Sequence, residues 1–382
     1  MNRVIKIFRV AFKFVKYDRA KSIGVLIGIV ISTFLIGQQL GIAIFLTGLM
    51  SGLIDNAQAD IWVIDSRSKD INQIGLLDIK KVRDVQSIQG VMSAEPLLIA
   101  GGKANFQDGT TATISLIGSN PPFFAAGPPL AKVFSGDISK LVNEGAVTAD
   151  FYDRANFGGS SEVGKEFEIS GKRAVLVAQT KGVRGFGGLF MYTSIDRARY
   201  FGNISENSIS AVLIKVEKTA NVDSVAGAIN KTIYGVRAWK RADIKNSTIS
   251  TILTTSGIGA STGSLIVFAI IAGFFIIGLT MFSSALDRLK DYGTLKAIGA
   301  TNGYIRSLIL GQAFSFALLG FMVAFILLKG FQKGVEASGL VFSFSPLIIV
   351  SLFGVTLFIS LSGAVFAIKR ISGVEPASVF RG

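Results

Sequence analysis

The chain has 382 residues, half of them hydrophobic, no cysteine, no histidine and a formal net charge of +14. Without Cys or His it has no thiol nucleophile, no disulfide and no imidazole base, and nearly every zinc or haem site is excluded. The charge does not point to nucleic acid: residues 55–245 hold 23 Lys and Arg against 20 Asp and Glu, and the remaining +11 flanks long apolar runs.

Residues 1–21 read as an arm in the cytoplasmic membrane interface. Ile5, Phe8, Phe12 and Val15 fall on one helical face and Lys6, Arg9, Lys13 and Lys16 on another, so lipid takes one stripe and headgroups the other. Residues 22–54 carry no charge. As one helix they would run about 50 Å, against roughly 30 Å of hydrocarbon, so transmembrane helix 1 should project as a stalk. The run is too long for a signal-peptide core and no small-x-small site closes it, which predicts a retained anchor.

Residues 55–245 predict an extracytoplasmic domain. Ile61–Ile64 reads as a strand, Leu77–Ile88 as a helix, and Val91–Ile99 as a strand that Pro96 would place at a sheet edge. Ser210–Val216 alternates as a strand, Asn221 caps a helix to Ile233, and Val236–Trp239 is extended. Two βαβ-like pieces at the two ends predict one α+β subdomain around a β-rich insertion at about 110–205. Within it, Glu166–Ile169 and Arg173–Ala178 flank a Ser170-Gly171-Lys172 turn.

Residues 246–286 predict a second stalk, uncharged but hydroxyl-rich, leading into transmembrane helix 2 from about Ser264, with Gly257, Gly259 and Gly263 weakening the join. Residues 287–306 form a basic loop, 307–329 transmembrane helix 3, 330–343 a short outer loop, 344–368 transmembrane helix 4, and 369–382 a tail in which Gly373 and Pro376 end the last helix. The basic arm, loop and tail place both termini and the 287–306 loop in the cytoplasm. The expected fold class is therefore an α+β membrane protein, with four transmembrane helices arranged one plus three and a large mixed α/β extracytoplasmic domain on stalk helices.

Little in the chain resembles a reaction centre. Gly159–Lys165 has phosphate-loop spacing, but Glu166 stands where Mg²⁺ chemistry needs Ser or Thr and a strand follows, so it reads as a β-turn. The pairs Glu166/Glu168 and Asp150/Asp153 read as solvated surface acids. The apolar runs hold no acid or base, which argues against self-powered transport. The expectation is a chain that is not an enzyme and binds no cofactor or metal of its own.

The most specific segment is Leu289, Asp291, Tyr292, Gly293, Leu295, Lys296, Ala297, Ile298 and Gly299 in the 287–306 loop. Leu289, Tyr292, Leu295 and Ile298 recur every three residues and predict one apolar face on a short helix. Asp287–Lys290 and Arg288–Asp291 can pair on the other. Gly293 would admit another backbone, Gly299 should stop the helix, and Thr301 or Asn302 should cap the next. The face is offered to lipid or to a cytosolic protein with a groove.

Asp291-Tyr292-Gly293-Thr294-Leu295-Lys296-Ala297-Ile298-Gly299-Ala300 resembles the E-x-G-x-L-[KR]-A-[IL]-G-A segment of FtsX/MacB-type ABC transporter permeases, with Asp291 where Glu is commoner. Lys369–Ala377 resembles that family's closing segment and Val163–Gly171 a hairpin of its outer domains; Tyr292–Gly299 with Gly118–Pro121 tilts toward a DevC-like branch. The resemblance implies a bacterial inner-membrane permease without a fused ATPase. It would pair with a second permease chain, and a cytosolic ABC ATPase carrying ATP and Mg would dock on the segment above. Motion would pass to the outer domain for export of a lipid-like, peptide or other hydrophobic substrate, with a periplasmic adaptor and an outer-membrane channel as further partners. The alternative is an FtsX-like signalling permease that regulates a periplasmic hydrolase or sensor.

Overall fold

The computed structural model describes residues 19–157 and 159–372. The amphipathic stripes of the arm and the Gly373/Pro376 stop lie outside those residues. In chain order the elements are α1 (Arg19–Met50), α2 (Gly52–Asn56), β1 (Ile61–Asp65), β2 (Leu77–Asp78), α3 (Lys81–Gln86), β3 (Val91–Asn105), β4 (Thr111–Ser119), β5 (Val133–Gly136), β6 (Ala146–Asp150), β7 (Glu166–Ile169), β8 (Lys172–Thr180), β9 (Leu189–Ser194), α4 (Ile195–Gly202), β10 (Ser208–Ile209), β11 (Ala211–Val216), α5 (Val222–Thr232), β12 (Val236–Lys240), α6 (Arg241–Thr255), α7 (Ile258–Asp287), α8 (Leu289–Ala297), α9 (Asn302–Glu336) and α10 (Pro346–Ser372). The chain divides into two compact units, residues 1–44 with 260–382, and residues 45–259.

In the second unit, strands β12-β1-β11-β3 lie side by side, each antiparallel to its neighbour. Helix α3 joins β1 to β3 and α5 joins β11 to β12, so each helix links two parallel strands with one strand between them. This is the split βαβ arrangement of ferredoxin-like domains, assembled here from the two ends of the segment. Asn221 opens α5, its Oδ1 accepting from the N–H of Asp223 at 2.8 Å and of Ser224 at 3.4 Å. All five residues of β1 are buried because the sheet is covered on both faces. Ile61 and Val63 join the core beneath α3 and α5, while Trp62 and Ile64 pack with Leu53, Ile54 and Ile244 from α2 and α6.

Strands β4 to β9 extend the same sheet, while β10 pairs with β2 in a separate two-stranded sheet. Strand β4 pairs antiparallel with β3, β9 parallel with β4, and β8 takes β7, β5 and β6. The β7–β8 hairpin turns at Ser170 (φ 51°) and Gly171 (φ 76°), the double positive φ of the turn that matches strand twist. Pro96 does not sit on an edge strand, because β3 has partners on both sides. The β4 ladder starts only at Leu97, however, so Pro96 lies where β3 pairs with β11 alone and the missing N–H breaks no ladder.

Four helices, α1, α7, α9 and α10, are long and apolar enough to cross a membrane. They meet through small residues. A Cβ on Gly320 of α9 would lie 2.5 Å from Ile29 of α1, and one on Gly363 of α10 would lie 3.0 Å from the Gly278 Cα of α7. Thr33 and Thr356 share a hydroxyl hydrogen bond of 3.1 Å, and Ser360 donates to the Ala313 carbonyl at 2.9 Å.

Helix ends differ from the sequence expectation. Helix α1 runs 32 residues and stops at Met50, with Ser51 (φ −100°, ψ 3°) separating it from α2, rather than continuing to residue 54. The segment expected as a second stalk is helical as α6 (Arg241–Thr255), and Gly257 (φ 72°) separates it from α7. Helix α9 continues to Glu336, past the apolar limit at residue 329. Lys329 and Lys333 end the uncharged run, but both are good helix formers, so the backbone does not stop there.

Candidate functional site

Two places concentrate unusual residues. The first is α8, in the loop between α7 and α9. Its end is a Schellman closure: Gly299 (φ 98°) donates to the Lys296 carbonyl at 3.0 Å and Ala300 to the Leu295 carbonyl at 2.9 Å. Thr301 then caps α9, its Oγ accepting from the Tyr304 N–H at 3.2 Å. Two capping devices in three residues fix the angle at which the chain turns back toward the next helix.

The apolar stripe expected on α8 does not form one face. Tyr292 is 2% exposed, Leu295 is half-buried and Ile298 is 77% exposed. A three-residue step falls about 60° short of a full helical turn, so positions 292 and 298 point roughly 120° apart. Tyr292 and Gly293 turn inward, with Arg288 also buried. Burial raises the Tyr292 phenol above its ordinary value; the nearby Arg288 charge and the Gln312 side chain pull the other way. Asp291, Thr294, Ala297, Ile298 and Gly299 are exposed and Lys296 is half-exposed. Leu289 opens the helix. Residues 291–299 therefore divide into a buried anchor, Tyr292 and Gly293, and an outward face running from Asp291 to Ile298.

The second place lies in residues 45–259 and escaped sequence reasoning. Asp150 and Asp153, expected as solvated acids, are 0% and 3% exposed. Asp150 accepts from the Val183 N–H at 2.7 Å, the Thr180 hydroxyl at 3.0 Å and the Tyr152 N–H at 3.1 Å. Asp153 meets the Arg184 guanidinium at 2.9 Å. Burial raises both carboxyls; Asp153 reaches about 6 because burial and the Asp150 charge outweigh Arg184. The available signal was β6 itself: Ala-Val-Thr-Ala before Asp150 shows no polar alternation, the mark of a strand covered on both faces. Nearby, the buried Tyr192 phenol is raised by burial and faces Asn56, whose Oδ1 accepts from Lys132 Nζ at 2.7 Å.

Arg184 belongs to a glycine-rich loop, residues 182–188, and its backbone is held as tightly as its side chain. A Cβ on Gly52 of α2 would lie 2.1 Å from the Arg184 carbonyl oxygen. The phosphate-loop look-alike binds itself: Lys165 Nζ donates to the carbonyls of Ser160 (3.0 Å) and Phe157, and strand β7 follows it. Glu166 pairs across the hairpin with Arg173. Among the described residues, no group of three or more acidic side chains is placed to hold a metal ion.

Residues 263–376, from within α7 to beyond α10, match the FtsX-like permease C-terminal family model. Over nearly the full length the chain is similar to proteins named as uncharacterized ABC transporter permeases. Rv0072 of Mycobacterium tuberculosis (strain ATCC 25618 / H37Rv) is 24% identical over 375 residues, covering 93% of this chain and 95% of the relative. Mb2592 of Mycobacterium bovis (strain ATCC BAA-935 / AF2122/97) is 24% identical over 380 residues with the same coverage. Among solved structures, the extracellular domain of the noncanonic ABC-type transporter YknZ from Gram-positive bacteria aligns with a TM-score of 0.37 at 14% identity, covering 47% of this chain and 99% of that domain. The periplasmic region of MacB from Actinobacillus actinomycetemcomitans aligns with a TM-score of 0.39 at 13% identity, covering 51% and 94%.

Proposed function

We propose that this chain is a multi-pass ABC transporter permease with an FtsX-like C-terminal domain and that a separate cytosolic ATPase drives it through α8. The observation that carries the reading is the geometry of α8. A nine-residue helix is locked at its C-terminus by the Gly299 closure and held from inside by Tyr292, yet Ile298 is left bare. A helix anchored on one side and apolar at the tip of the other is built to be pushed. Two permease chains, each with one ATPase, would bring their α8 helices together when ATP and Mg close the ATPase pair. Both termini and α8 are then cytoplasmic, and residues 55–245 lie beyond a bacterial inner membrane.

The absence of an acid or base in the apolar runs agrees with energy arriving from another subunit. The motion reaches the outer unit along α1 and α6 and serves export of a lipid-like, peptide or other hydrophobic substrate, with a periplasmic adaptor, an outer-membrane channel and surrounding lipid as further partners. The chain itself contributes no catalytic group.

The chain contains no cysteine, so single-cysteine cross-linking is clean. With the ATPase that co-purifies from native membranes, Ile298→Cys should cross-link and Val142→Cys, an exposed site in the outer unit, should not. Leu295→Pro or Lys296→Glu should abolish stimulated ATP hydrolysis while the chain still inserts. Unchanged coupling in both variants would defeat the proposal.

A further inference from the structure

The outer unit contains a cleft of about 450 Å³, within the size range of small-molecule sites. Its walls come from separate parts of that unit: Leu53 of α2, Ile71, Ile99 of β3, Phe186 of the glycine-rich loop, Phe190 of β9, and Ile252 of α6. These supply an apolar interior.

Asp70 lines the cleft and is 7% exposed. Its Oδ1 accepts from the N–H of Asn72 at 2.8 Å and of Gln73 at 3.0 Å. Among the described residues no Lys or Arg forms an ion pair with it, and no Lys or Arg lines the cleft. A buried carboxylate without a cation leaves an electrostatic demand open. Two of the hydroxyls on the cleft, those of Thr255 and Ser256, have their protons engaged elsewhere. Thr255 donates to the Thr251 carbonyl at 2.7 Å and Ser256 donates to the Ile252 carbonyl, so both turn only lone pairs outward. The Asn72 amide is likewise directed to the Met50 carbonyl, at 3.4 Å. The cleft thus sets one carboxylate, without a cation beside it, among apolar walls and a mixed polar rim that also includes Gln73, Ser115 and Thr251.

We propose that this cleft binds a small amphipathic amine, an apolar body bearing a protonated nitrogen that Asp70 receives. An ammonium brings three donors and one positive charge, which matches the acceptors and carboxylate present, whereas a carboxylate or phosphate would meet repulsion from Asp70. This goes beyond the permease reading and does not depend on it, since binding can be measured without ATP or a partner.

The test uses the full chain in lipid nanodiscs at pH 7 with a dansyl-labelled eight-carbon alkylamine. Its N-acetylated twin is the neutral control, and empty nanodiscs give the partition background. Wild-type protein should bind the amine at least about 10-fold more tightly than the acetylated probe. Asp70→Asn keeps an oxygen for the Asn72 and Gln73 N–H groups; it should weaken the amine about 10-fold and leave the acetylated probe unchanged. Thr255→Lys, at an exposed stalk position, places a cation at the cleft and should do the same, which covers the case in which the Asp70 variant fails to fold. Ser115→Trp fills the cleft and should remove saturable binding of both probes. Equal affinity for the two probes, or full amine affinity in Thr255→Lys or Ser115→Trp, overturns the assignment whether or not ATPase coupling is found.

Discussion

The Arg184 guanidinium reaches the Asp153 carboxylate at 2.9 Å, and the backbone carbonyl of the same arginine occupies the space a side chain at position 52 would need. One residue thus ties the glycine-rich loop to the β6 end of the sheet and to the helix that follows α1. The Asp153 carboxyl bears the cost, since it is buried beside Asp150 with one cation for two acids.

That cost makes stability depend on pH. The Asp153 carboxyl rises from 3.8 to about 6 on folding. Between those values the folded state holds the extra proton, so stability falls as pH rises through this window and the penalty persists above it. A shift of this size corresponds to roughly 3 kcal/mol. Asp153→Asn should therefore raise the Tm of the full chain relative to wild type at pH 7.5 and change it little at pH 4. An equal difference at both pH values would show that the carboxylate charge is not the cause.

Gly299 holds a φ of 98°, so Gly299→Ala forces a side chain into left-handed backbone at a cost of about 1–2 kcal/mol. The expected outcome is faster hydrogen exchange at the amides of Gly299 and Ala300, whose bonds close the helix, with exchange in residues 45–259 unaltered.

Tyr292 and Ile298 should respond in opposite ways. Tyr292→Ala empties a buried aromatic site and should destabilise the chain by roughly 3 kcal/mol. Ile298→Asp changes a bare surface position and should leave Tm within about 0.5 kcal/mol of wild type, while stimulated ATP hydrolysis drops at least about 10-fold. Thermal unfolding and ATPase rate, measured on the same preparations, separate the two.

The Gly278–Gly363 crossing leaves no room for a Cβ that cannot move. Gly363→Val should separate α7 from α10 and cost about 1–3 kcal/mol. Gly354→Val, which meets nothing within 4 Å, is the control and should be close to silent. A cysteine pair at positions 278 and 363, read by disulfide yield, reports the spacing directly.

The four apolar helices were legible because hydrocarbon thickness imposes a length that no other constraint mimics. Both split βαβ pieces were legible from short alternating runs and the Asn221 cap. Helix ends were less so: α9 runs on through Lys329 and Lys333 because charge reports the solvent around a helix and not its hydrogen bonds. The α8 face differs from the sequence expectation because a period of three winds around a helix instead of staying on one side. Asp150 and Asp153 were invisible to counting acids, since burial depends on strands β8 and β9 arriving from later in the chain. The cleft brings together Leu53, Asp70, Ile99, Phe190 and Ile252, and no local pattern links positions so far apart.

Strands β1 and β12 have one further consequence. Ile61, the first residue of one, is opposite Lys240, the last of the other, and the Arg241 N–H donates to the Asp60 carbonyl just outside them. Asp55 and Lys245 clasp the same end at 2.7 Å. A tensile load that splays Asp60 from Arg241 would open this ladder like a zipper, one rung at a time, whereas a load that carries both in the same direction would stretch no rung at all. The β1–β12 ladder thus yields to a load that parts Asp60 from Arg241 and bears one that moves both together.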